Sequence, residues 1–78
     1  MNDSGIEILL SSDSDYEELT AEIFFNGKFI ALLNQDEGVE NLRIEFPATD
    51  AKENMVLRHI DLATFEKGLE LAKKKIRG

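Results

Sequence analysis

The residues of this chain that could do chemistry are mostly carboxylates. The segment Asp13-x-Asp15-x-Glu17-Glu18 has the dense acidic spacing of a calcium-binding loop. An EF-hand loop also needs glycine at its sixth position and glutamate at its twelfth, and counting from Asp13 these positions hold Glu18 and Phe24. The segment is better explained as a solvated turn whose side chains bond the nearby backbone. We therefore expect no bound metal.

The other candidate groups also lack the companions that catalysis requires. His59 is the only histidine, and the absence of cysteine leaves it without the further ligands of a zinc site. A nucleophilic serine needs a base and an orienting group, whereas Ser11, Ser12 and Ser14 lie in a turn-forming cluster. The glycines do not follow the spacing of a phosphate-binding loop. We predict no enzyme, no catalytic residue and no cofactor.

Length and charge restrict the class of protein further. The 78 residues make one domain, 1–78, of which we expect 1–5 to be disordered. The net charge of −7 divides unevenly, into −10 over residues 1–57 and +3 over residues 58–78. The basic run Lys73–Arg77 has no interleaved aromatic residue and is typical of a solvated helix end, so we expect no nucleic-acid partner. Without a signal peptide or a long apolar run we expect a cytoplasmic protein and no membrane partner.

The elements that must position these groups form a β-meander. Alternation predicts a first strand over 6–11, further strands over 19–25 and 28–34, and another over 42–46 that ends at Pro47. Residues 55–60 are predicted as a last strand. Between the second and third strands, Asn26-Gly27 is the sequence of a type I′ hairpin turn.

The hairpin turn predicts which side chains share a face. Phe24 should oppose Phe29, Ile23 should oppose Ile30, and Ala21 should oppose Leu32. The predicted core face then holds Leu19, Ala21, Ile23, Phe25, Ile30 and Leu32, and the other face holds Thr20, Glu22, Phe24, Phe29, Ala31 and Leu33.

A C-terminal helix is predicted over 62–77. Asp61 has the position of an N-cap, and an apolar stripe recurs at helical spacing. The stripe consists of Leu62, Phe65, Leu69, Ala72 and Ile76. The predicted fold is therefore α+β: an antiparallel β-meander of four to five strands with one C-terminal amphipathic helix packed on the sheet.

Both faces of the predicted sheet are apolar, yet one short helix covers only one of them. The other must be covered in part by the segment 12–19 or by a second subunit. We therefore predict a homo-oligomer, a dimer or higher, with Phe24, Phe29, Ala31 and Leu33 in the contact. An acidic face of Asp13, Asp15, Glu17, Glu18 and Glu22 favours a basic protein as a further partner.

Three segments together resemble a group of small uncharacterised bacterial proteins. They are the acidic D-Y-E-x-L-x-A-E pattern at residues 15–22, Gly27-Lys28-Phe29, and Ile44-Glu45-Phe46-Pro47. The likeness covers most of the chain. Small acidic proteins of this kind resemble mobile-element accessory proteins, such as integron-cassette or immunity proteins. The likeness assigns no residue a chemistry.

Three hypotheses follow. The first is a non-catalytic, acidic protein-binding module that self-associates, including the immunity-like or mobile-element accessory role. The second is a small-ligand-binding or catalytic protein that uses a pocket between helix and sheet, with His59 or Glu22 as its polar group. The third is a nucleic-acid mimic whose carboxylates imitate phosphates.

Overall fold

The computed structural model describes residues 5–12 and 16–78 and forms an α+β fold. Its elements are β1 (Ile6–Ser11), β2 (Thr20–Phe25), β3 (Lys28–Asn34), β4 (Arg43–Glu45), a 3-10 turn (Glu53–Met55) and α1 (Leu62–Arg77). The strands form one antiparallel sheet in the order β1-β2-β3-β4, with the helix packed on it. The predicted fold class is confirmed. Of residues 1–5, only Gly5 lies within the described part of the chain, and its carbonyl accepts a hydrogen bond from the Asn26 N–H at 3.0 Å.

The predicted fifth strand at residues 55–60 is wrong. Only Val56 pairs, through an isolated parallel bridge to Phe29, and the Leu57 N–H donates to the Phe29 carbonyl at 2.9 Å. The chain reaches this point directly out of the 3-10 turn Glu53–Met55. It therefore contacts β3 briefly, at the end of β3 that β4 does not cover.

The hairpin turn forms as predicted. Asn26 has φ 51° and Gly27 has φ 83°, the two positive values that a type I′ turn requires. Phe25 opposes Lys28 and Phe24 opposes Phe29.

The predicted register fails one residue later, because β3 carries a bulge. After the Phe24–Phe29 pair, Ile23 pairs with Ala31 and leaves Ile30 without a partner in the ladder. One extra residue reverses the side of every later side chain on the bulged strand. Ala31 and Leu33 therefore join the core, at 0% and 5% exposure, and Leu32 moves to the opposite face.

The core lies between α1 and the face of β1 and β2 that carries Ile6 and Ile23. Two small helix residues, Gly68 and Ala72, are buried there, and a Cβ at Gly68 would lie 3.2 Å from Ile23 Cγ2. The helix therefore approaches the sheet very closely. Asp61 caps the helix as predicted, accepting from the Thr64 N–H at 3.0 Å.

Leu62 is the exception in the predicted apolar stripe. It is the first helical residue and is 68% exposed. At 100° per residue it lies about 80° around the helix from Ala72, so it points away from the sheet. Leu71 joins Phe65, Leu69 and Ile76 among the side chains packed against the core.

Candidate interaction surface

The sheet face opposite α1 presents three rows of side chains that run across the strands. Because paired residues share a face, the register places Glu7, Phe24 and Phe29 in one row and Leu9, Glu22, Leu32 and Glu45 in the next. The third row is polar and holds Ser11, Thr20, Asn34 and Arg43. We call the seven residues of the first two rows the open face. Among the described residues, α1 packs on the other face against β1 and β2, and the 3-10 turn Glu53–Met55 contacts β3.

Two phenylalanines lie at the centre of the first row. The Phe24 and Phe29 ring centroids are 5.7 Å apart with an interplanar angle of 65°, an edge-to-face contact that aromatic quadrupoles favour. Both rings are only partly buried. A shallow depression beside Phe24, about 320 Å³ in volume, is lined by Glu7, Leu9 and Gly27. This is room for an apolar side chain next to a carboxylate.

The structure corrects the predicted self-association set. Phe24 and Phe29 lie on the open face, as expected. Ala31 and Leu33 do not, because the bulge at Ile30 turns them into the core. The apolar residues that accompany the two rings on the open face are Leu9 and Leu32, which were not predicted to lie there.

Polar side chains lie at the end of this face that contains Ser11 and Thr20. Thr20 is fully buried, and its hydroxyl donates to the Ser11 carbonyl at 3.4 Å. Asn34 is also buried, and its amide nitrogen donates to Glu45 Oε2 at 2.6 Å. Tyr16 lies beside Asn34 in a shallow polar depression, so the segment before β2 reaches this end of the sheet.

The predicted acidic partner face is spread over two parts of the molecule. Glu17 and Glu18 are exposed in the loop before β2, where their backbone N–H groups donate to the Asp36 carboxylate at 3.4 and 3.1 Å. Glu22 belongs to the open face, between Leu9 and Leu32. Asp13 and Asp15 lie outside the described residues.

A separate cleft lies between the start of α1 and the sheet. Its volume is about 280 Å³, and its apolar walls are formed by Ile30, Phe46, Pro47, Leu57, Ile60 and Phe65. Arg58 and His59 are its polar residues. Arg58 is held by Glu53 at 3.0 Å and by the Ala48 carbonyl at 3.0 Å. The predicted pocket near His59 is therefore present, whereas Glu22 lies on the other side of the sheet.

Within residues 5–12 and 16–78, no cluster of three His, Asp or Glu residues could hold a metal ion. Every buried polar side-chain atom there has a hydrogen-bond partner. The helix found in this part of the chain is not long and apolar enough to cross a membrane.

The chain matches no protein-family model, and comparison with curated proteins and with solved structures finds no match. The resemblance to mobile-element accessory proteins therefore stays a prediction.

Proposed function

We propose that this chain is a non-catalytic protein-binding module whose binding surface is the open face. The observation that carries the proposal is the Phe24–Phe29 pair, two contacting rings that remain partly exposed on the sheet face opposite α1. Burying a phenylalanine fully is worth roughly 1.5–3 kcal/mol relative to leaving it exposed. A partner that covers both rings gains part of that from each, before the entropy cost of association is subtracted.

The charges of the open face favour a basic partner. Glu7, Glu22 and Glu45 alternate with the apolar side chains, and neither row contains a basic residue. A second copy stacked face to face would bring three more carboxylates against these three, which costs free energy. A segment with lysine or arginine beside its apolar residues is complementary to both features. An immunity-like or mobile-element accessory protein that captures a basic protein would have this chemistry.

A matched pair of peptides tests the proposal. Both are amphipathic and carry leucines at the same positions; the remaining positions are lysine in one and glutamate in the other. Titrated into isotopically labelled protein, the lysine peptide is expected to bind and to shift the amide signals of β1, β2 and β3. The glutamate peptide is expected to bind much more weakly, since it meets like charge on the face.

Two variants locate the binding surface. Phe29→Glu should abolish binding of the lysine peptide, because it removes a central ring. Leu62→Glu adds the same charge at an exposed leucine on α1, outside the open face, and should leave binding unchanged. Equal affinity for both peptides, or signal shifts confined to α1, would contradict the proposal.

The cleft beside His59 supports a second candidate function, binding of a small apolar ligand. An apolar cavity with two convergent polar residues is the usual form of such a site. An aromatic sulfonate dye is a suitable probe, because its ring fits the apolar walls and its anion can reach Arg58. Phe46→Ala, at the exposed rim, should reduce dye affinity several-fold, whereas Phe24→Ala on the open face should not. Equal affinity in the two variants would exclude this candidate.

A further inference from the structure

The two edges of the sheet differ in how well they are protected. β4 forms one edge with three residues, two of them charged, and short charged strands discourage pairing with another chain. β1 forms the other edge with six residues, and Glu7 is its only charge. Leu9 and Leu10 of β1 are 54% and 41% exposed. β1 thus has the features of a strand that pairs with another chain.

The hairpin decides which backbone groups of β1 point outward. A two-residue turn makes Phe25 and Lys28 a hydrogen-bonded pair, so the N–H and C=O groups of Phe24 point the other way, toward Glu7 of β1. The hydrogen bond from the Asn26 N–H to the Gly5 carbonyl agrees with this alternation of backbone groups. By alternation, the backbone groups of Leu9 also face β2, and those of Ile8 and Leu10 point away from β2.

We infer that two copies of this chain associate through β1, which pairs with β1 of the second copy as antiparallel strands about a twofold axis at Leu9. Ile8 then lies opposite Leu10 of the second copy, and Leu10 opposite Ile8. Each of these pairs exchanges two N–H···O=C bonds, four in all, between groups that already point outward. Leu9 meets Leu9 of the second copy as the closer, non-hydrogen-bonded pair on the open face.

The position of α1 fits this arrangement. The helix packs on β1 and β2, so its axis lies about half a strand spacing inside β1. With strands about 4.8 Å apart, the helices of the two copies would run antiparallel at roughly 10 Å, an ordinary helix packing distance. A Cβ at Gly68 would lie 3.2 Å from Ile23 Cγ2 and 3.4 Å from Ile6 Cδ1, so the helix lies over β1 and β2 together.

The register also keeps like charges apart. Glu7 lies opposite Ser11 of the second copy, whose hydroxyl can donate to the carboxylate. The two Glu7 residues are four strand positions apart, about 14 Å. Edge pairing therefore gives self-association without the carboxylate stacking of a face-to-face dimer, and it joins the two open faces into one eight-stranded surface. The inference goes beyond the proposed function, since one copy has a complete open face.

Single cysteines test both the dimer and its register, because the chain has none of its own. In the inferred dimer the two Leu9 Cα atoms are about 4.5 Å apart, within disulfide range. The two Leu10 Cα atoms lie diagonally, at about 8 Å, which is too far. Leu9→Cys should therefore form a disulfide dimer readily under mild oxidation of the native protein. Leu10→Cys, and Leu19→Cys at an exposed leucine outside β1, should not.

A second variant tests the hydrogen bonds without a cross-link. Leu10→Pro removes an outward N–H and leaves the bonds between β1 and β2 intact. It deletes two of the four bonds in the dimer, so dimer dissociation should become about tenfold easier or more in analytical ultracentrifugation. Thermal melting at a concentration where both proteins are monomeric checks that the fold is kept.

Three outcomes would overturn the inference. The wild type could stay monomeric at near-millimolar concentration, or the Leu10→Cys disulfide could form faster than that of Leu9→Cys. The third is a dimer that Phe29→Glu disrupts and Leu10→Pro does not. If the wild type forms the β1 dimer but does not bind the lysine peptide, the proposed function is wrong and the inferred dimer still stands.

Discussion

The covered face of the sheet carries more large apolar side chains than the open face, and the two faces also have different surroundings. On the face covered by α1, Ile6 and Ile23 are fully buried beneath Gly68 and Ala72. On the open face, Phe24 and Phe29 remain partly exposed and have glutamates beside them. Lys28, next to the hairpin turn, is the charged residue of the covered face, whereas the open face alternates apolar and acidic residues.

Geometry explains why only one face is covered. A helix is about 10 Å wide, which is two strand spacings, so α1 covers β1 and β2 on one side of a four-stranded sheet. Its smallest residues lie at the contact and allow a close approach. The large apolar residues of the open face stay outside the core, because a core needs a partner surface whose shape permits dry packing.

The largest effect should come from comparing neighbours in β2 that point to opposite faces. Ile23→Ala should lower the free energy of unfolding by about 4 kcal/mol, because it leaves a cavity in the core. Phe24→Ala should cost only about 1–2 kcal/mol, since its ring is already partly in solvent. Urea unfolding of both variants measures the difference. Equal losses would mean that the open face is packed like a core.

A smaller effect is expected from filling the close contact between helix and sheet. A Cβ at Gly68 would lie 3.2 Å from Ile23 Cγ2 and 3.4 Å from Ile6 Cδ1, so Gly68→Leu must push the helix outward. We expect a loss of about 2 kcal/mol, despite the better helix propensity of leucine. Lys67→Leu, at the exposed neighbouring position, should change stability by less than about 0.5 kcal/mol. A stabilised Gly68→Leu variant would show that the two layers are loosely packed.

The smallest effect concerns the start of the covering helix. Asp61→Ala removes the acceptor for the Thr64 N–H and hydroxyl, and should cost about 1 kcal/mol. Asp61→Asn keeps a capping oxygen and should stay within a few tenths of a kcal/mol of the wild type. Circular dichroism during thermal melting can follow both. Identical melting of the two variants would show that the cap does not limit stability.

Local signals predicted most of the fold. Asn26-Gly27 determined the turn, Asp61 the helix start, and alternation the positions of the strands. The bulge at Ile30 could not be predicted in this way, because the segment Phe29-Ile30-Ala31-Leu32-Leu33 is apolar throughout and any register looks acceptable. The bridge at Val56 depends on the path of the preceding loop, which local sequence does not specify.

The candidate surface was predicted only in part, and for the same reason. Phe24 and Phe29 precede the bulge in the ladder and lie where the turn puts them. Ala31 and Leu33 follow it and were placed on the wrong side. The one available signal was that the predicted open face was too apolar for a solvated surface. Moving Ala31 and Leu33 into the core removes that excess.

The order of elements along the chain has a consequence for biosynthesis. β1 is made before α1, which covers it; 32 residues separate the end of β4 from the end of α1. At about 5–20 residues per second, the ribosome needs roughly 2–6 s to add these residues. Until α1 has been made, Ile6 and Ile23 lack the helix that buries them in the folded chain.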